Sequence, residues 1–149
     1  SAVSSMSTEM RAKLEPALLG VVEEGEKIGL KEYLSATMAR AALGQLMNQF
    51  HEQFDLLVTP TLAVPAFDVG LLDPDGDDEA LRWLRWTPFS YPFNMTGQPA
   101  ATVPCGFTED GLPVGLQIVG PMHRDDLVLK AARAFEAARP QNMRPPLGD

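Results

Sequence analysis

The sequence predicts an α/β fold, and three observations carry that prediction. The first third spaces its apolar residues as a helix does, the middle is crowded with prolines and glycines around strand-like runs, and the last stretch returns to helical spacing. At 149 residues the chain has the size of one domain, read as 1–149 with an irregular tail from about 140. A composition of 45% hydrophobic and 21% charged residues is ordinary for a globular protein and argues against wholesale disorder.

From Met6 to Glu24 good helix formers alternate with apolar residues. Pro16 would remove a hydrogen bond from a helix interior but suits the first turn of a new one, so two short helices are expected. Gly25 and Gly29 are read as bracketing a turn. Leu30 to Phe54 then shows apolar Leu30, Leu34, Met38, Ala41, Leu46, Met47 and Phe50 at helical spacing, a long helix expected to pack by one face on a larger body. Its outward face carries Lys31, Glu32, Arg40, Gln45, Asn48 and Gln49.

Asp55 introduces Leu56, Leu57, Val58 and Thr59, a run ended by Pro60 and read as a buried strand. Between Asp73 and Glu79 five carboxylates crowd into seven positions. Counted as an EF-hand loop from Asp73, the twelfth ligand position falls on Leu84 instead of glutamate, so a solvated acidic loop is expected in place of a calcium site. Ala80 to Trp86 suits a short helix with Trp83 and Trp86 on one face. Pro88, Pro92, Pro99, Pro104 and Pro113 forbid continuous helix beyond it, and Ala100–Val103 and Val114–Val119 read as a β-hairpin turning through Glu109, Asp110 and Gly111. Asp125 or Asp126 is placed to cap a last helix carrying Leu127, Val128, Ala131, Ala132, Phe135 and Ala138, ended by Pro140.

Twenty acidic against twelve basic residues leave a net charge of −8, which opposes nucleic acid and anionic membranes as partners. No run approaches the roughly 18 apolar residues of a membrane span, residues 1–11 lack the build of a signal peptide, and the expected location is the cytoplasm. The single Cys105 allows no intrachain disulfide and is read as a structural cysteine. His51 and His123 lie far apart and join no ligand cluster, so neither a metal nor a cofactor is expected. His51, among Gln49, Glu52 and Gln53, is read as an ordinary surface histidine. No serine sits in a Gly-x-Ser-x-Gly elbow, and no glycine-rich phosphate loop is present.

The hairpin region carries a more specific signal. Tyr91-Pro92-Phe93-Asn94-Met95-Thr96-Gly97-Gln98-Pro99-Ala100-Ala101, continuing to Gly106, and then Gly111-Leu112-Pro113-Val114-Gly115-Leu116-Gln117-Ile118-Val119-Gly120, closely resemble the C-terminal part of amidase-signature enzymes. Asp55-Leu56-Leu57-Val58-Thr59-Pro60-Thr61 before them and the helix from Asp126 after them extend the resemblance from about Leu14 to Ala138.

The resemblance implies a mixed β-sheet flanked by helices, of which this chain would supply the last strands and outer helices. It also implies amide hydrolysis by a Ser, cis-Ser, Lys triad, in which the lysine acts as base only if its surroundings lower its pKa from about 10.4. The family lysine and Gly-Gly-Ser-Ser-Gly loop have no counterpart among these 149 residues, so no catalytic residue is carried over. Trp86, Thr87, Phe89 and Tyr91 match the stretch near the family's acyl cavity and are the expected substrate-binding residues. In the glutamine-using component of tRNA-dependent amidotransferases an acidic residue precedes the Asn-x-x-Gly block, whereas here that stretch reads Thr87-Pro88-Phe89-Ser90-Tyr91, which favours a general amidase acting on a small-molecule amide. Asn94, Gly97 and Gln117 are expected to serve structure, Gln117 by a hydrogen bond that braces the sheet.

Three readings follow. The favoured one is the C-terminal fragment of an amidohydrolase, inactive alone; the others are one half of a split amidase, and a non-catalytic binding or oligomerisation module. A homodimer, or the missing N-terminal half, is the expected cover for an orphaned apolar face.

Overall fold

Proline and glycine set the element boundaries in the computed structural model, which describes residue 3 and residues 5–71, 73–75 and 83–140, the side chain of Trp83 excepted. Helix α1 (Thr8–Arg11) is capped by Ser7, whose hydroxyl accepts the Met10 N–H. Helix α2 (Pro16–Lys27) begins at the proline, as expected. It runs through Gly25 instead of turning there, because that glycine lies in open space and the helix costs it only backbone entropy. Helix α3 (Leu30–Gln53) follows after Ile28 and Gly29.

Strand β1 (Leu57–Pro60) lies at the edge of a three-stranded sheet of order β1-β3-β2, with β2 spanning Ala100–Phe107 and β3 Pro113–Val119. Both pairings are antiparallel; β2 and β3 form a hairpin, and β1 joins it on the far side of β3, beside a strand that is not its neighbour in sequence. β1 is half exposed, with Val58 and Pro60 open to solvent, because an edge strand gains only one neighbour. The expected hairpin is present and longer than read: β2 continues past Pro104 through an irregularity between Pro104 and Gly106.

Helix α4 (Trp83–Trp86) confirms a helical turn at the tryptophans, residues 80–82 lying outside the described ones. Helix α5 (Tyr91–Thr96) is an element the proline reading passed over; Pro92 sits in its first turn, where a missing N–H costs nothing. Gly97 ends it in the left-handed region at φ 81°, the conformation expected of it, and returns its N–H to the Phe93 carbonyl. Asn94 is exposed on α5.

Helix α6 (Asp125–Ala138) closes the described chain before Pro140. Neither aspartate caps it by a side-chain bond: both occupy the first turn, where a carboxylate favours the helix dipole, and Asp126 instead pairs with Arg124 and Lys130. The reading of 141–149 as a tail lies outside the described residues.

The core lies between α6 and one face of the sheet. Val103, Ile118, Val128 and Ala132 are buried there, with Leu56, Ala101, Leu116, Ala131 and Phe135 packed around them. Gly120 lets α6 approach: a Cβ on it would stand 2.6 Å from Val128 Cγ2. Helix α3 is tied to α5 by Arg40, whose Nε–H donates to the Met95 carbonyl at 2.7 Å. The rest of α3 carries an uncovered apolar row, Leu30 74%, Tyr33 62%, Leu34 51% and Met38 74% exposed.

Two single-residue readings change. His51 is half-buried, its ring edge-on to Phe50 and its Nδ1–H donating to the Phe54 carbonyl at 3.1 Å, because α3 ends there and brings that carbonyl within reach. Asp73 is buried, not solvated: its Oδ1 accepts the Asp75 N–H at 2.9 Å in a local turn. Residues 76–79 of the acidic run lie outside the described ones.

Candidate functional site

Antiparallel register decides which side chains share the face of the sheet that α6 leaves free. Thr59 of β1 pairs with Gln117 of β3, and Gln117 pairs with Thr102 of β2. Directly paired residues point the same way, so these three form a polar row across all three strands, opposite the Val103–Ile118 core.

Gln117 is the centre of that row and is buried, 6% exposed. Its Nε2 donates to Thr59 Oγ1 at 3.0 Å and to the Phe89 carbonyl at 2.7 Å. A buried amide must find partners, and this one finds them on the neighbouring strand and on the 86–91 segment, so a single side chain fastens that segment to the central strand. The bracing role expected of Gln117 is therefore what the hydrogen bonds show, with the added reach to Phe89 that spacing along the sequence does not reveal.

The 86–91 segment is held a second time through the loop after β1. The Ala63 N–H donates to the Trp86 carbonyl at 3.3 Å, and the Phe67 and Trp86 rings meet edge to face at 5.3 Å. Trp86, Thr87, Phe89 and Tyr91 are all half-buried along this segment, Trp86 ending α4 and Tyr91 opening α5. Ser90, the residue before α5, returns its N–H to the Thr87 carbonyl at 3.0 Å and fixes the turn between them.

Next to the row, a cavity of about 430 Å³ opens between residues 61–66, Thr102 and residues 113–115. Its floor is Gly115: a Cβ there would stand 2.6 Å from Thr61 Oγ1 and 2.9 Å from Thr102 Cγ2. The bare backbone lets Thr61 and Thr102 meet above it, Thr61 Oγ1 to Thr102 Oγ1 at 3.3 Å. None of Trp86, Thr87, Phe89 and Tyr91 lines this cavity; they are linked to it through Ala63 and Phe67. The threonines and Gly115 were not singled out from sequence. The signal for them was present, since the hairpin register sets Thr102 opposite Gln117, but the strand partner supplying Thr61 was not legible.

Cys105 is half-buried, with its Sγ–H directed at the Val114 carbonyl at 3.5 Å. Among the described residues no group of three or more His, Cys, Asp or Glu is arranged to hold a metal ion. Shifted acid–base groups lie elsewhere: at the end of α2 the hydrogen bond to Glu24 raises Lys27, and at the start of α6 Arg124 beside Asp126 holds the Asp126 carboxyl down at about 2, with Lys130 assisting, while Asp126 in turn raises Arg124. No described helix is long and apolar enough to cross a membrane.

Comparison with known proteins places this arrangement. The chain is 38% identical over 133 residues to an acylamidase of Rhodococcus erythropolis, covering 87% of this chain and 28% of that protein. It is 39% identical over 114 residues to a component of the glutamyl-tRNA(Gln) amidotransferase of a Cyanothece species, covering 76% of this chain and 23% of that component. Among solved structures, a bacterial aryl acylamidase of the amidase-signature enzymes superposes with a TM-score of 0.75 at 30% identity, over 94% of this chain and 31% of that one. The chain thus spans about a quarter of the length of the curated relatives it matches. The amidase family model matches residues 3–129, which contain every strand and the polar row described above, and the chain belongs to the amidase family, the amidase-signature enzymes.

Proposed function

We propose that this chain works as the C-terminal segment of an amidase-signature hydrolase that converts a small carboxamide to a carboxylate and ammonia or an amine. The nucleophilic serine, the bridging serine and the lysine base come from outside residues 1–149. Trp86, Thr87, Phe89 and Tyr91 form part of the wall that faces the substrate, and no cofactor or metal takes part. The protein acts in the cytoplasm.

The observation that carries this reading is the anchoring of the 86–91 segment by Gln117 and Ala63 over the polar face of the sheet, within a chain whose family hydrolyses amides. Side chains that face a substrate need rigid support from behind, and two hydrogen bonds to the segment's carbonyls, one from the Gln117 side chain and one from the Ala63 N–H, supply it. The uncovered apolar row on α3 supports a larger body packed against this segment, since a lone chain gains nothing by exposing Leu30 and Met38. The absence of acidic residues from 87–91 supports a general amidase over an enzyme that selects a charged amino group.

The test is the size and activity of the native protein captured from extracts with an antibody against this chain. A polypeptide several-fold above 16.2 kDa that hydrolyses simple aryl or alkyl amides is expected. A 16.2 kDa polypeptide without activity and without a co-purifying partner overturns the reading and leaves a non-catalytic oligomerising module.

A further inference from the structure

Three backbone carbonyls along residues 86–95 are held from other elements: Trp86 by the Ala63 N–H at 3.3 Å, Phe89 by Gln117 Nε2 at 2.7 Å and Met95 by Arg40 Nε at 2.7 Å. Ala63 and Arg40 are exposed, whereas Gln117 is buried in the central strand. Its donor is shielded, so of these three tethers the one to Phe89 is the one that water replaces least well.

The chemistry of the row fixes which way that amide faces. Thr59 Oγ1 donates its single hydrogen to the Pro60 carbonyl at 2.9 Å and so meets Gln117 as an acceptor. Both hydrogens of Nε2 are therefore used, one on Thr59 and one on Phe89. Turning the amide over would set Oε1 against the Phe89 carbonyl oxygen, two acceptors with no hydrogen between them.

The Phe89 carbonyl shares a planar peptide unit with the Ser90 N–H, and that N–H returns to the Thr87 carbonyl at 3.0 Å. Both polar groups of this one unit are thus bonded, one to the sheet and one within the turn. The backbone on which Phe89 and Tyr91 stand is set from Gln117.

We infer that Gln117 is a positioning residue for substrate binding: through the peptide unit between Phe89 and Ser90 it sets the aromatic wall, and with it the preference for a bulky over a small acyl group. This role rests on the amide-hydrolase reading above and on the 86–91 wall within it. Side chains that touch the acyl group and not the breaking bond hold substrate and transition state alike, so loosening them raises KM and leaves kcat.

The experiment places Gln117→Met, which keeps the length of the side chain and removes the donor, in the native polypeptide, made in its source and captured with the antibody. Benzamide and acetamide are the probes. KM for benzamide is expected to rise about three- to tenfold, the loss of one hydrogen bond, with kcat and the KM for acetamide within about twofold of the parent. A purely structural role lowers the amount of active enzyme and leaves both KM values in place. Thr59→Val takes away the other acceptor and keeps the bond to Phe89, and is expected to leave both KM values unchanged. If Gln117→Met does not accumulate, Gln117→Asn, one methylene shorter and out of reach of Phe89, is read in the same way.

An unmoved KM for benzamide, an equal rise for acetamide, an equal effect of Thr59→Val, hydrolysis of acetamide alone, or failure of both Gln117 variants to accumulate overturns the inference and leaves the hydrolase reading standing. A native protein that hydrolyses neither amide overturns the hydrolase reading, and this inference with it.

Discussion

The Nε2 of Gln117 donates to the carbonyl of Phe89 at 2.7 Å across 28 positions of sequence, and the same nitrogen holds Thr59 Oγ1 at 3.0 Å. One buried amide thus ties the central strand to the edge strand on one side and to the aromatic segment on the other. Replacing it by Leu leaves the half-buried Phe89 carbonyl and Thr59 hydroxyl without this donor, and an unmet polar group out of full contact with water costs up to about 1–3 kcal/mol. Gln117→Leu is expected to lose stability in that range by urea denaturation, with tryptophan emission shifting to the red as the 86–91 segment loosens. A variant within ~0.5 kcal/mol of the parent, with unchanged emission, contradicts the anchoring role.

Two glycines separate packing from conformation. A Cβ at Gly120 would lie 2.6 Å from Val128 Cγ2 in the best-packed part of the core, so Gly120→Ala should destabilise by about 1–3 kcal/mol through forced repacking. Gly25 lies inside α2 with nothing within 4 Å of an added Cβ, and Gly25→Ala should instead stabilise by about 0.4–1 kcal/mol by narrowing the unfolded chain. Paired urea titrations check the opposite signs; equal signs contradict the α6–Gly120 contact.

Acid should act through Asp126. Its carboxyl is held at about 2, below the ordinary 3.8, first by Arg124 Nε at 3.0 Å and then by Lys130 Nζ at 3.1 Å. A carboxyl whose folded pKa is depressed contributes stability that is complete above 3.8 and lost as pH falls through about 2. The group is exposed, so the contribution is small and shrinks with salt. Asp126→Asn is therefore expected to lower Tm slightly at neutral pH in low salt, the gap closing by about pH 2 or on adding 1 M NaCl. A gap that persists under both conditions would point to packing instead of charge.

Arg40 supplies a local test of how α5 is positioned. Its Nε–H donates to the Met95 carbonyl at 2.7 Å from an exposed site on α3. Arg40→Met should cost no more than about 1.5 kcal/mol overall, yet speed amide hydrogen exchange in α5 more than in the β2–β3 hairpin. Equal acceleration in both elements would show that α5 does not depend on this bond.

These cases show what the sequence makes legible. The hairpin, α3 and α6 follow from local pattern: Gly111 marks the turn, apolar residues recur at helical spacing, and Pro16 and Pro140 mark ends. The resemblance around Gly97 and Gly115 named the family, which the family model and relatives bear out. Helix α5 was not legible because Pro92 reads as a breaker unless its place in the first turn is known. The polar row was half legible. Gln117 stands out as a polar residue in an apolar strand, but Thr59, Thr61 and the Phe89 carbonyl reach the site only through strand pairing and chain reversal, which no local pattern encodes. His51 and Asp73 were misread for the same reason: each finds a backbone partner only where the chain turns.

If this segment serves a serine-based amide hydrolase, as proposed, the nucleophile lies outside residues 1–149. The most direct measurement is labelling of the antibody-captured native protein with a fluorophosphonate, which modifies activated serines, followed by mapping of the modified peptide. The account predicts stoichiometric labelling at a serine beyond residues 1–149, on the same polypeptide or on a tightly bound partner, with loss of amide hydrolysis in proportion. Labelling of a serine within residues 1–149, or hydrolysis that survives complete labelling, would contradict it.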